Sequence, residues 1–452
     1  LIHSVNTDFD LDVEHTLDGF AQIVSDHCGL VRPIIYSGCP AGDPRLFLGL
    51  APQADYKTFG GVGHFAAGAG STLVQSMVSC LGEAVERYSG GLPNFETIRV
   101  ATYAQLAAEG HRALDPETYQ IWLKRTWGHP RRDFDAFRRD TLTHWIRGSL
   151  AEDGAEFWVP ADGVHWLGPS KETACVDQAT TSGLGAGASR EHALASSLLE
   201  LIERDHYAVH WWTKTPGLPL DWQKILGADP EVQALLAPMR SRLHQLKAYL
   251  LRSDLDVPVC VFVARGRNQE NEPSFVTAAA ANLDPRAALR KSMLETLHIW
   301  MRGRLNHNRR VGRQFSGDPD QDIMSFVDRI EYYHRPERLA ALDFLDAGDA
   351  TQSGVEWQRL SENWKRLRGP FDLGALHIKM RTQGMRWIQI DMTTPEIAAL
   401  GYHVQRAFVP ELVPIDARHV RRPVNHPRIR SWGMWANGHE PEILNEDAHP
   451  FP

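Results

Sequence analysis

The pattern Glu-x-x-Glu-Arg occurs twice in this 452-residue chain, as Glu83-Ala84-Val85-Glu86-Arg87 and as Glu200-Leu201-Ile202-Glu203-Arg204. Apolar residues recur around each copy at helical spacing, so each pair of carboxylates shares one helix face. Two such pairs offer four oxygen-rich side chains, the donors that hard cations such as Mg2+ prefer beside phosphates. Ser79 falls on the same line as Glu83 and Glu86. On the second helix His192, Ser196, Glu200, Glu203 and Tyr207 align, and most other positions are apolar. A helix that is apolar nearly all round is buried, where Glu200 and Glu203 are costly unless cations neutralise them. A third helix, roughly 285–304, aligns Lys291, Glu295, His298 and Arg302. A single Glu-x-x-Glu-Arg is usually a solvated face with weak ion pairs. Two copies, each after a glycine-rich stretch, argue for a shared site.

The elements that must position these residues follow from periodicity. Glycine-rich turns at Gly60 to Gly70 and Ser182 to Gly187 open into helices over roughly 71–89 and 189–212. Main-chain N–H groups at a helix start favour anions such as phosphate. Neither turn has the spacing of a P-loop or a Rossmann fingerprint. Strands are predicted at Leu30 to Tyr36, Leu46 to Leu50, within His144 to Trp166, at Pro258 to Ala264 and at Phe275 to Ala281, with late strands in 376–392 and 402–410. Residues 100–150 are charged and Trp-rich with patchy periodicity and read as a peripheral insertion; 305–325 reads as a charged linker. The organisation predicted is one main domain, 1–436, and an extended tail, 437–452.

Composition narrows the class. With 43% hydrophobic and 23% charged residues, a folded core is expected. The formal net charge of -8 argues against a nucleic-acid-binding surface over most of the chain. Five cysteines without a Cys-x-x-Cys pair form no disulfide framework and fit a reducing cytoplasm. No apolar run is long enough for a bilayer span, so no membrane role is expected, and the start at Leu1 shows no signal-peptide pattern.

Ser79-x-x-x-Glu83-x-x-Glu86-Arg87 resembles the first nucleotide-binding motif of the YcaO family. Thr181 to Gly187 with Glu200-x-x-Glu203-Arg204-Asp205 resembles its second, and Ala280 to Pro285 with Lys291 and Glu295 its third. Phe326 to Pro336, Leu342 to Leu345, Ile390 to Pro395 and Val409 to Leu412 look like the azoline-forming cyclodehydratases of that family. The ending Ala448-His449-Pro450-Phe451-Pro452 resembles their Pro-x-Pro-x-Pro terminus, with Ala448 in place of the first proline. Other departures are Ala69 for a lysine, Ser182 for an asparagine, His192 for a metal-binding glutamate and His298 for a glutamine.

The resemblance implies an α+β fold of the YcaO type, with mixed sheets packed by helices, a nucleotide site between helices, and a proline-containing tail that inserts toward it. It implies ATP and Mg2+ as cofactors. Glu83, Glu86, Glu200 and Glu203, with His192, would serve the metal. Ser79, Arg87, Thr181, Ser182, Arg204 and Lys291 would serve ATP. Lys291, Glu295 and Pro452, whose terminal carboxylate is a candidate base, would serve catalysis. The implied reaction starts when a Cys, Ser or Thr side chain of a precursor peptide attacks the preceding amide carbonyl. The oxyanion takes the γ-phosphoryl group, and loss of phosphate leaves a thiazoline or oxazoline. Thioamide or macroamidine formation and a non-catalytic peptide-docking subunit are the alternatives. Implied partners are the precursor peptide, an E1-like or winged-helix leader-recognition protein and an FMN-dependent azoline dehydrogenase, in an oligomeric complex.

Overall fold

The structure, a computed structural model, describes residues 19, 21–25, 29–37, 42–52, 65–122, 136–165, 172–267, 273–309 and 315–451. Its strands are β1 (Ile35–Ser37), β2 (Phe47–Pro52), β3 (Phe65–Gly70), β4 (Ile98–Ala101), β5 (Thr143–Leu150), β6 (Glu156–Pro160), β7 (Leu184–Gly187), β8 (Leu218–Leu220), β9 (Leu243–Leu251), β10 (Val259–Gly266), β11 (Phe275–Ala281), β12 (Ile388–Asp391) and β13 (His403–Phe408). They form three sheets, β1-β2-β3, β11-β10-β9-β8 and β4-β5-β12-β13-β7, the last with β6 on β5. Every pairing within the sheets is antiparallel. The helices that matter here are α1 (Leu73–Gly91), α2 (Arg190–Thr213), α3 (Pro285–Arg309), α4 (Phe326–Tyr332), α5 (Gly374–Thr382) and α6 (Pro427–Asn437). No described helix is long and apolar enough to cross a membrane.

Three strand–helix units carry the motif residues: β3 then α1, β7 then α2, β11 then α3. In each, the helix folds back onto its own strand. The sequence starts each helix locally. Thr72 and Gln75 form a capping box for α1, Ser189 accepts from the His192 N–H for α2, and Asp284 accepts from the Arg286 N–H with Pro285 opening α3.

The glycine-rich stretches differ in part from the expected anion-binding turns: Phe65 to Gly70 is strand β3, and only Ser182-Gly183 of the second stretch is a turn, Leu184 to Gly187 being strand β7. A Cβ at Gly68 would lie 2.2 Å from the Cys80 nitrogen, and one at Gly185 would lie 2.5 Å from the Ala193 carbonyl oxygen. Glycine is needed there because a helix backbone, not a phosphate, comes close.

Three further expectations change. Residues 100–150 are not peripheral where described: β5 lies inside the largest sheet, and Trp145 is fully buried with its Nε1–H on the Ala101 carbonyl at 3.0 Å. The segment expected to be strand from 376 begins as helix α5, so only β12 remains of it. Helix α3 runs on to Arg309, into the predicted linker.

Helix α2 is the hub. Leu194, Leu198, Ile202, Tyr207, Trp211 and Trp212 are buried in one apolar cluster with β9, β10 and β11 residues. Ala448 and Phe451 belong to the same cluster, so the tail is threaded into the core although residues 439–451 form no helix or strand.

Candidate functional site

The four motif carboxylates are each held by a main-chain N–H from a neighbouring strand or turn. Glu83 Oε2 accepts from Ala67 of β3 at 2.8 Å, and Glu86 Oε1 from Ala186 of β7 at 2.9 Å. Glu200 Oε2 accepts from Gly183 at 2.9 Å, and Glu203 Oε2 from Ala281 of β11 at 3.1 Å. The pattern is a relay. The first glutamate of each helix binds the unit it belongs to, and the second reaches the strand of the next unit. The motif therefore both aims the carboxylates and fastens three sheet–helix units together.

The arginines close the motif unequally. Arg87 pairs with Glu83 alone, at 2.5 Å. Arg204 pairs with Glu200 at 3.0 Å and with Glu203 at 2.8 Å. Its guanidinium carbon also stands 4.4 Å from the centre of the Phe451 ring, which packs on Tyr207 with centroids 4.7 Å apart. The tail thus touches the arginine that joins two site carboxylates.

The charges of the three helices act on one another. Burial pushes Glu86 up to about 8, with Glu200 and Glu83 adding repulsion and Lys291 opposing it. Burial also raises Glu203, against the pull of Arg204 and Lys291. Burial raises Glu295, the Lys291 ammonium opposing it. For Lys291 burial lowers the ammonium, but Glu295, Glu203 and Glu200 outweigh it and hold it above its ordinary range. Lys291 and Glu295 are recessed rather than sealed, with 55% and 40% of their side chains accessible and 3.7 Å between them. Farther along α3, Arg302 faces Glu83 and Arg87, although burial lowers it. From Lys291 to Arg302 is about 16 Å at 1.5 Å per residue, so α3 borders both motif helices.

The other predicted residues fall as follows. Ser79 is exposed on α1, and Thr181 is exposed at the turn before β7. Ser182 donates its main-chain N–H to Thr180 Oγ1 at 3.2 Å. The His192 ring stacks on Phe371 at 4.8 Å and 15°, and burial lowers its pKa to about 4, so it is neutral. Pro452 lies outside the described residues. The Trp211-Trp212 pair near the end of α2 clamps the tail. Trp211 Nε1–H donates to the Asp447 carbonyl at 2.9 Å, and the Asn445 N–H donates to the Trp212 carbonyl at 2.9 Å.

Residues that periodicity did not single out hold the tail and the helices around the motif residues. Arg329 on α4 donates to the carbonyls of Asp416, Ala417 and His449, each at 2.8 Å, and Tyr333 donates to the Ala448 carbonyl. The 326–336 segment and the tail, both read from resemblance, are therefore physical partners. His206 and His210, four apart on α2, are a spacing that could have been noticed; each Nδ1 meets the carbonyl one turn back. Asp205 and Asp254 bind Arg428 of α6, at 2.7 and 3.0 Å.

The donor set suits a hard cation: all oxygen, crowded, with no arginine paired to Glu86 among the described residues. Among the described residues no group of three His, Cys, Asp or Glu side chains is already placed to hold a metal ion. A cation would have to draw the glutamates off their present partners.

The family model described as YcaO cyclodehydratase, ATP- and Mg2+-binding, matches residues 67–413. The chain belongs to the YcaO family. Three solved structures share its fold. A heterocyclase in complex with substrate and cofactor superposes over 97% of this chain with a TM-score of 0.72 and 21% identity; the chain spans 57% of that protein's length. YcaO from Methanopyrus kandleri, bound with AMPPCP and Mg2+, matches 86% of this chain and 88% of its own, with TM-score 0.55 and 19% identity. The Escherichia coli microcin synthetase McbBCD complex contains a chain matching over 86% of this one and 90% of its own, with TM-score 0.57 and 14% identity.

Proposed function

We propose that this protein catalyses ATP- and Mg2+-dependent cyclodehydration of Cys, Ser or Thr residues in a ribosomally made precursor peptide, giving thiazolines or oxazolines. The observation that carries the reading is the Arg204 junction. One guanidinium joins Glu200, Glu203 and the tail residue Phe451, which supports reading the carboxylate cleft and the tail as one site. Bound ATP would supply the phosphoryl group that makes an amide oxygen a leaving group, and Mg2+ would offset phosphate charge.

The chain's own residues do the positioning. Glu83, Glu86, Glu200 and Glu203 supply oxygens for the cation. Lys291 stays charged beside them and faces phosphate. Ser79, Thr181 and Ser182 hydrogen-bond the nucleotide from the helix and turn that border the cleft. Glu295 and the tail near Pro452 orient the peptide and accept protons released as the ring closes. Arg87 and Arg204 hold carboxylates, and His192 supports the wall through Phe371 rather than taking the place of a metal-binding glutamate.

A leader-recognition partner of the E1-like or winged-helix type would present the peptide, and an FMN-dependent dehydrogenase would oxidise the rings. The test is to combine purified protein and partner with ATP, Mg2+ and a Cys-containing precursor. Loss of one water mass per modified residue with matching ATP turnover supports the reading. Exchange of oxygen for sulfur marks thioamide chemistry. Unmodified peptide without ATP turnover marks a docking subunit and overturns it.

A further inference from the structure

A further cation stands near the carboxylates, and none of the motifs contains it. Arg406 lies on the inner strand β13, paired across to Leu184 of β7 and Ile390 of β12. It is 4% exposed. One donor is used, NH1 to the Thr180 carbonyl at 3.0 Å, and its Nε has no hydrogen-bond partner. No described carboxylate stands within ion-pair distance of it. The charges it feels are Glu200 first and then Asp177, from beyond contact range, and burial lowers its pKa to about 10.

Two other buried arginines among the described residues spend more of their donors. Arg329 spends its donors on three carbonyls, and Arg428 on two carboxylates. Within the cleft, Arg87 and Arg204 are committed to glutamates and Lys291 to Glu295. A buried guanidinium left with spare donors is destabilising in the free protein, and an arriving anion relieves it. The planar fork of arginine matches a phosphate's paired oxygens. Arg406 is also anchored at the turn that leads to Thr181, Ser182 and the Gly183 N–H on Glu200.

We infer that Arg406 is an anion-binding residue of the nucleotide site, taking a phosphate oxygen of ATP on the Glu200 side of the cleft. The inference rests on the nucleotide reading above and adds the residue that meets the phosphate charge while the motif arginines hold carboxylates.

The experiment measures the thermal midpoint and the binding of Mg2+ with AMPPCP, by thermal shift and calorimetry, for the wild type, R406Q and R406K. The wild type is expected to be stabilised by the analogue. R406Q should have an unchanged or higher midpoint without ligand, because an uncompensated charge is gone, yet bind the analogue at least tenfold more weakly. R406K should recover part of that loss. If R406Q loses midpoint without ligand, or fails to fold, while R406K binds the analogue as the wild type does, Arg406 is a structural strut and the inference is overturned. A wild type that binds no analogue overturns the nucleotide reading and this inference with it. A wild type that binds alongside an R406Q that binds equally overturns this inference alone.

Discussion

The two copies of one five-residue motif are not equivalent in the fold. In the α1 copy, Arg87 neutralises Glu83 and leaves Glu86 without an arginine; the Arg87 and Glu83 side chains keep 25% and 30% of their surface. In the α2 copy, Arg204 neutralises both glutamates, Glu203 is nearly inaccessible, and Phe451 covers the arginine. The same letters thus build a charge-satisfied half and a charge-poor half facing each other. In the α2 half the tail residue Phe451 covers the arginine; on the function proposed above, a cation completes the α1 half. This division puts the demand for positive charge at Glu86, between the two helices.

The comparison breaks most readily at the arginines. Arg204→Met leaves two carboxylates without their partner in a buried setting and is expected to cost about 3–5 kcal/mol. Arg87→Met removes a half-open i,i+4 pair and should cost about 1 kcal/mol or less. Urea unfolding of both variants measures the two values, and equal costs would show the halves to be equivalent. Next in size is Phe451→Ala. It empties a fully buried aromatic site and exposes Arg204, with an expected loss of about 3 kcal/mol. Peptide modification should fall more steeply than ATP turnover. Unchanged stability would mean that the tail does not complete the second half.

What was legible in the chain was what is local. The stripes around Glu83, Glu86, Glu200 and Glu203 show in helical spacing, and Phe275 to Ala281 was predicted with the bounds of β11. Glycine was ambiguous for a physical reason. Gly68 and Gly185 report that no Cβ fits, which a helix backbone and a phosphate require alike. The segment at 376 read as strand because its short apolar run lacks a clear period, whereas tertiary packing makes it helix α5. Arg329 and Arg406 were out of reach as site residues because their meaning lies in partners far away in sequence. Arg406 did leave a trace: Gln405-Arg406 interrupts an apolar strand, and buried polar pairs there ask for a reason.

Glu86 supplies the pH test of the charge-poor half. Its carboxyl is pushed to about 8 from an ordinary 4.5. Between those values the folded protein keeps a proton that the unfolded chain has released, so stability contributed by this group falls as pH rises through that window. Glu203, raised by burial, acts in the same direction. Glu86→Gln should flatten the decline and leave the free protein about 4 kcal/mol more stable than the wild type near pH 8, while weakening Mg2+ binding. Because the proton and the cation compete, wild-type Mg2+ affinity should climb up to about tenfold per pH unit below 8. Thermal midpoints from pH 5 to 9, with and without Mg2+, read both effects. A wild-type midpoint that is flat across that range contradicts the assignment.

The smallest expected effect on folding falls at Lys291, and it separates positioning from stability. Its ion pair with Glu295 is loose, at 3.7 Å, and open to solvent on both sides. Such i,i+4 pairs contribute about 0.3–0.5 kcal/mol, so Lys291→Ala should barely shift the unfolding midpoint. Its charge nevertheless acts on Glu86, Glu200 and Glu203 together, which makes it a cation shared by both halves of the site. Loss of that charge should raise Glu86 and Glu203 toward protonation and shift the pH at which Mg2+ binds upward. It should also weaken nucleotide binding severalfold. Lys291→Arg, which keeps the charge at a different reach, should restore the pH profile better than the affinity. If alanine left both untouched, Lys291 would be a solvated residue on the cleft wall, and the cation that spans the two halves would have to be sought at Arg302, about 16 Å along the same helix.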